Sequence, residues 1–458
     1  MVSFVVYDLI FLVVFTLFII LFLHKKRKNL KREGIMYLYR TKLGVEAINY
    51  IGNKYKKTLH FLKYLVVAVG YILMIGMIYL LYKSVQTYLF VPLPAELANA
   101  PPIAPLIPYF PQLFGLESFF PPFYFTYFIV ALAIVAIVHE FSHGIYMKLF
   151  KIKIKSTGFA FLGPILGAFV EEDRNQFIKK KNLEQRTVLA AGVFANTLFA
   201  LIFYLLLVGF FYISFAPSGY IFNSYAYSII NSNEITQINQ SGNLTAVYAG
   251  NKTYFLTSDM KQQLDNNLSQ IIAYEDTPAF RAMIKGAIIQ LNDVKIKNQQ
   301  DLQEFLQNKK PGDQVEIKTI SNGVEEKYSI ILGNSPSNES KAYMGIASAQ
   351  SNAKGVLQKI ILKFTSFKDQ STYYSPRFDG DIIIFIYNLL WWVMIINLLV
   401  ALFNMLPLGI LDGGRFFYLT ILSVTKSEKA SSIIFKITTY LIILSFASII
   451  LFWLFRFI

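Results

Sequence analysis

The chain has 458 residues, 55% of them apolar and 16% charged, with a mean hydropathy of +0.46; this excludes a soluble globular class and leaves room for several membrane helices and one soluble module. There is no cysteine and there are only four histidines, so thiol nucleophiles, thiolate ligands and disulfides are excluded, and a metal would have to be held by imidazole and carboxylate or amide oxygen. The net charge of +15 sits beside apolar runs, where Lys and Arg set topology and meet anionic headgroups, so the expected partner is the lipid bilayer and not nucleic acid.

Runs of about 20 apolar residues, enough to cross a bilayer core, are predicted at 3–23, 62–82, 123–147, 187–214, 382–403 and 431–456. The first differs from a signal peptide in charge order, because Lys25, Lys26, Arg27, Lys28, Lys31 and Arg32 follow its apolar core instead of preceding it. Connectors 24–61, 148–186 and 415–429 carry excess Lys and Arg, which predicts that they face the cytoplasm and that both termini lie outside. The N-x-S/T strings at Asn239, Asn243, Asn251, Asn267 and Asn338 all fall in the large segment this topology puts outside. Asp8, a carboxylate within the first run, is expected to pair near the outer end or to hydrogen-bond to a neighbouring helix. His24 and His60 read as interfacial residues.

Four regions follow. Residues 1–122 hold two helices, a basic connector and a Pro-rich, apolar connector expected to lie on the membrane surface or to cap an entrance. Residues 123–214 hold a helix ending in His139-Glu140-Phe141-Ser142-His143, a Gly-rich loop and another helix. Residues 219–350 leave membrane composition for an outer α+β module, and 351–458 hold a juxtamembrane segment and the last two helices.

Two imidazoles four residues apart on a helix project from one face and can reach one metal ion, with Glu140 beside them to act on water. Residues 123–138 carry no charge, so this HExxH string lies within a membrane helix, where ionisable groups are costly and mark function. The segment 158–172, GFAFLGPILGAFVEE, is too short to span and reads as a re-entrant loop or hairpin dipping toward the site, or as a plain cytoplasmic turn; an exposed edge strand there could take an extended peptide by strand addition. A catalytic zinc site needs a third protein ligand. The candidate is Asp412, in an apolar stretch after Pro407 and before Gly413 and Gly414; the alternative is an ordinary Asp-Gly turn at a helix end.

From Pro278 to Ile320 the order turn, strand, hairpin, helix, turn and strand resembles a PDZ domain of the rearranged bacterial type, with 224–270 as an insertion. The HExxH string and the later N-x-x-P-x-x-x-x-D-G string from Asn404 to Gly413 together resemble the site-2 protease family of intramembrane zinc metalloproteases, over about 123–422. The two leading helices and the 40–44 connector look most like archaeal members. The resemblance implies a polytopic α-helical membrane protein of about six helices with an inserted outer PDZ-like α+β domain. It implies zinc held by His139, His143 and Asp412, and Glu140 as general base and acid. Asn404 would orient substrate or the developing oxyanion, Gly163 and Gly167 belong to a loop that receives substrate, and Asn196 stands where members carry an Asn. It further implies cleavage of transmembrane segments of membrane proteins, in the cell membrane near the cytoplasmic side; which protein is the substrate, and whether an upstream protease first trims it, the sequence leaves open. A soluble-type zincin would carry its HExxH in the outer module, and a prenyl-protein type protease would supply Glu as third ligand. The alternative outside hydrolysis is an inactive PDZ-bearing scaffold or a transporter.

Overall fold

Among the described residues six helices are long and apolar enough to cross a membrane: α1 (Phe4–Lys26), α3 (Lys56–Phe90), α4 (Phe125–Leu149), α5 (Asn182–Ser214), α7 (Gly380–Asn404) and α9 (Glu428–Leu454). Between them lie α2 (Val45–Lys54), α6 (Gln299–Gln307) and α8 (Asp412–Thr425). The computed structural model describes residues 4–34, 36–90, 101–103, 106–162, 165–241, 244–265, 268–321, 323–348 and 362–455. The chain divides into two compact units, Met1–Phe210 with Ile384–Ile458, and Phe211–Ile383.

In the first unit the long helices leave large side chains such as Ile72, Ile75 and Leu205 more than half exposed. Lipid is as apolar as a protein interior, so such helices need no polar face. What holds them together is close approach at small residues. A Cβ on Gly70 of α3 would lie 3.0 Å from the Ala190 Cβ of α5 and 3.2 Å from the Phe416 ring of α8, and these residues share a buried cluster with Val66, Val188 and Met405. On α2, Ile48 presses against Gly144 of α4, where an added Cβ would sit 2.7 Å from its Cδ1.

Asp8 has a structural answer. Buried at 1% exposure, its carboxylate accepts from the backbone N–H groups of Phe125 (2.7 Å) and Thr126 (2.9 Å), from the Thr126 hydroxyl (2.6 Å) and from the Tyr109 hydroxyl (2.5 Å). A carboxylate from α1 therefore caps the first turn of α4, satisfying donors that a helix start leaves open. The apolar connector is anchored beside it: Trp392 of α7 donates to the Pro122 carbonyl (3.0 Å) and packs 4.1 Å from the Phe123 ring. Residues 91–100 of that connector lie outside the described residues.

A four-stranded antiparallel sheet runs in the order β1 (Leu30–Glu33), β2 (Met36–Thr41), β3 (Ile154–Leu162), β4 (Ile165–Glu172). The Gly-rich segment is thus a hairpin, with Gly158 paired to both Arg40 and Phe169; a Cβ there would collide with the Tyr39 carbonyl and the Phe169 ring. The β1–β2 pair was not expected, because the basic residues that mark the 24–61 connector also hide its strand propensity. β1 and β4 are its two edges, and β4 has no further strand beside it among the described residues.

Among the described residues the second unit has two larger sheets and two two-stranded pairs. Strands β5 (Phe215–Tyr220), β6 (Ala287–Leu291), β7 (Gln314–Ser321), β8 (Val324–Ile331) and β9 (Thr372–Pro376) form one in the order β8-β7-β6-β5-β9, with Val294–Lys295 hairpinned onto β6. Asn292 takes the left-handed turn position (φ 49°), which Asn tolerates. α6 starts at Asn298, whose side chain accepts from Gln300 N (2.8 Å) and Asp301 N (3.1 Å), and its Leu302 and Phe305 pack on Leu291, Val315 and Ile317. The unit extends past residue 350, because β9 pairs with β5. Tyr227–Asn231, Ile235–Ser241, Leu244–Ala249, Lys252–Leu256 and Gln270–Glu275 build a separate five-stranded sheet around their own cluster of Ile230, Val247, Leu256 and Ile271.

Candidate metal centre

Three side chains from two helices meet inside the first unit. His139 and His143 lie on successive turns of α4, and Asp412 is the first residue of α8. The Nε2 atoms of the two imidazoles are 3.0 Å apart, and Asp412 Oδ2 lies 3.1 Å from His139 Nε2 and 3.3 Å from His143 Nε2. One ligand atom from each falls within 4.8 Å of the others.

Proton placement tests whether this set fits a metal. His143 Nδ1 lies 2.7 Å from the Val188 carbonyl, which only accepts, so Nδ1 carries the proton and Nε2 of the neutral ring presents a lone pair. That lone pair faces a carboxylate oxygen and a second imidazole nitrogen. His139 Nδ1 lies 3.2 Å from Asn196 Nδ2; turning the carboxamide over would bring its buried, otherwise unpartnered Oδ1 to the same place, so the group can serve either ring tautomer. With the Asn196 oxygen toward Nδ1, both histidines direct Nε2 lone pairs at Asp412. Three acceptors at about 3 Å repel unless a proton or a cation lies between them, and two nitrogens plus one carboxylate oxygen form the donor set of a catalytic zinc site.

The local folding follows from glycine. A Cβ on Gly192 would stand 2.5 Å from His143 Nε2 and 2.6 Å from His139 Cε1, so α5 can press its backbone against both rings only because this residue is Gly. Val188, Gly192 and Asn196 are spaced by four and line one face of α5. At the other wall Pro407 follows the end of α7, and the chain returns so tightly that a Cβ on Gly413 would collide with the Met405 carbonyl and one on Gly414 with the Leu408 carbonyl. This packing sets Asp412 at the start of α8, facing the imidazoles.

Glu140 lies beside the pair and accepts from the Val170 N–H of β4 at 3.0 Å. Backbone groups alternate sides along a strand, so Val170 and Ala168 present N–H and C=O to the open edge of β4. The carboxylate is thereby fixed next to an unpaired strand edge.

Of the residues singled out in the sequence, the structure brings together His139, His143, Asp412, Glu140 and Asn196. Gly167 lies on β4 opposite Ala160, where a Cβ would make only ordinary contact at 3.9 Å. Asn404 ends α7, partly exposed. Gly163 lies outside the described residues. The sequence reading missed Gly192 and the Val188 carbonyl; the usable signal was their helical spacing from Asn196.

Comparison with known proteins agrees with this geometry. An uncharacterized protein of Methanocaldococcus jannaschii is 26% identical over 414 residues, which cover 88% of this chain and 83% of that protein. The sequence pattern of peptidase family M50 matches residues 127–445, a span that contains the HExxH helix, Asn196 and Asp412, and the chain therefore belongs to peptidase family M50.

Proposed function

We propose that the chain is an intramembrane zinc metalloendopeptidase that cleaves transmembrane segments of single-pass proteins. The observation that carries this is the convergence of His139, His143 and Asp412 with Glu140 held beside them on an open strand edge. His139, His143 and Asp412 would hold the metal, which when bound supplies Lewis acidity toward water and a peptide carbonyl. Glu140 takes the proton of the attacking water and gives it to the leaving amine. A substrate helix has to be opened before its peptide bonds are accessible, and β4 offers a place for the opened segment to pair as an added strand. Asn404 stands near the ligand-bearing turn as the candidate for orienting the substrate carbonyl.

By the bias of Lys and Arg, the connectors on the metal side face the cytoplasm, and both termini and the unit Phe211–Ile383 face outward. Because the chain has no native cysteine, single introduced cysteines at 250 and 426 would report sidedness by impermeant labelling. The element order of 278–320 supports a PDZ-like reading of the outer module, which we assign as a size filter for substrates that an upstream protease has trimmed.

Wild type, Glu140→Gln and Asp412→Ala, purified in detergent, should separate the roles. Glu140→Gln should keep about one zinc per chain and lose cleavage of a single-pass substrate by at least roughly a hundredfold, whereas Asp412→Ala should lose the metal itself. Near-normal turnover in Glu140→Gln, or full zinc occupancy in Asp412→Ala, would overturn the assignment.

A further inference from the structure

A cavity of about 370 Å3 in the first unit is not used by the proposed chemistry. It is walled by Gly52 of α2, Lys56 of α3, Lys148 of α4, Lys151 and Lys153 just before β3, and Gln176. No Asp or Glu lines it. Among the described residues none of the four ammonium groups has an ionic or hydrogen-bonding partner. Four like charges around one space repel one another, and an anion placed between them removes that repulsion.

Backbone conformation adds a second, independent observation. Lys151 has φ 57° and stands just past the end of α4, where Ile152 N bonds Met147 O (2.8 Å) and Lys151 N bonds Lys148 O (3.1 Å). These two bonds make a Schellman cap, whose left-handed position is ordinarily glycine. Local structure alone would favour Gly here, and the lysine adds a charge to the cavity instead. The short helix after β4 closes one wall: Gln176 Oε1 accepts from Lys153 N (2.9 Å), and its NH2 group has no partner among the described residues.

Location decides the kind of anion. Lys56 opens α3 and Lys148 lies in the last turn of α4, so the cavity sits where two membrane-crossing helices leave the apolar layer, the level of lipid headgroups. We propose that it binds the phosphate of an anionic lipid headgroup from the leaflet nearest the metal centre. Lys148 is about 7.5 Å along the helix from His143, and α2, where a Cβ added to Gly52 would lie 2.8 Å from the Lys148 side chain, also packs on Gly144 beside His143. A bound headgroup therefore joins the ends of α3 and α4 to the strand that leads into the peptide-facing hairpin. This inference rests on the membrane placement and not on the catalytic reading.

The test uses the full chain with Glu140→Gln, so that it reads binding and not cleavage. Protein is reconstituted in phosphatidylcholine vesicles with or without phosphatidylglycerol, extracted gently, and examined by native mass spectrometry for retained lipid. The cavity variant Lys56→Gln with Lys153→Gln is compared with the control Lys25→Gln with Lys28→Gln, which removes the same charge at the end of α1. We expect one retained phosphatidylglycerol per chain in wild type and control, and roughly thirtyfold weaker retention in the cavity variant. Lys151→Gly, which suits the cap, should fold as well as wild type and still bind more weakly. Equal losses in cavity and control variants would show nonspecific attraction to total charge and overturn the site. Displacement of the lipid by inorganic phosphate at equal concentration would overturn its lipid identity in favour of a soluble phosphate.

Discussion

Replacing Gly192 with Ala should loosen the metal without touching a ligand. The added Cβ would sit 2.5 Å from His143 Nε2, 2.6 Å from His139 Cε1 and 2.7 Å from His139 Nδ1. Ordinary contact starts near 3.4 Å, so something must move by roughly 0.9 Å in a close-packed interior. The rings cannot retreat freely, since His143 would give up the Val188 carbonyl and His139 the Asn196 carboxamide, at about 1 kcal/mol for each bond. Either the rings rotate or α5 shifts outward, and overpacking of this kind costs about 1 to 3 kcal/mol. Since about 1.4 kcal/mol is a factor of ten, zinc affinity should fall by roughly ten- to a hundredfold. Competition with a chelator of known affinity, followed by metal counting per chain, measures this directly. Gly209→Ala on the same helix, where no atom lies within 4 Å, is the matched control and should bind as wild type does. If Gly192→Ala holds zinc as tightly as that control, the rings do not meet α5 in the way described.

Asn196→Ala should lower metal affinity by roughly ten- to a hundredfold while leaving the three ligands in place, because it removes the partner that fixes the His139 tautomer; chelator competition checks it, and an unchanged affinity would remove Asn196 from the site. Asp8→Asn keeps the shape of the cap but loses the charge that accepts four hydrogen bonds, and should destabilise the first unit by about 2 to 4 kcal/mol, read as a lower melting temperature in detergent with zinc content retained. Replacing residues 215–376, the whole of the sheet from β5 to β9, by a short linker should leave cleavage of a short, pre-trimmed substrate intact and admit substrates with large outer domains; loss of the pre-trimmed reaction in an inserted, zinc-loaded protein would favour recruitment over exclusion.

The candidate ligands were legible because charge in an apolar context has few explanations. Two His, one Glu and one Asp stand in runs otherwise made of Leu, Ile, Val, Phe and Gly, and helix geometry alone carries His139 and His143 to one point. Gly192 was not legible, since a glycine in a membrane helix is usual and its role depends on which face of α5 meets α4. The β1–β2 pair was hidden for another reason: besides the basic residues that mask its propensity, MYLYRT is held as a strand by pairing with β3, a long-range contact that no local pattern encodes, and LKRE pairs only with MYLYRT. Asp8 was readable as an anomaly but not as a cap, because its partners Phe125 and Thr126 lie more than a hundred residues away. The extension of the second unit to β9 is of the same kind, a strand defined by its partner β5.

The placement of these features explains why the site can be precise in a medium that offers no hydrophobic drive between helices. α4 carries two ligands and the proposed base, and it is fixed at each end by means other than its own sequence. At its start the Asp8 carboxylate of α1 holds the first turn; at its end the Schellman cap turns the chain at Lys151 while Ile48 of α2 seats on Gly144. Along the middle, α5 closes on the rings at Gly192, and the Gly413-Gly414 turn brings Asp412 in from the opposite wall. Each of these contacts is made at a glycine or a capped helix end, so the positions of Nε2, Oδ2 and Glu140 follow mainly from how closely stiff elements approach one another. Open hydrogen-bonding capacity remains along the edge of β4, next to the Glu140 carboxylate. A rigid centre beside an open strand edge suits the proposed hydrolysis of an unwound helix, in which the protein's own helices would stay fixed while the substrate's opens.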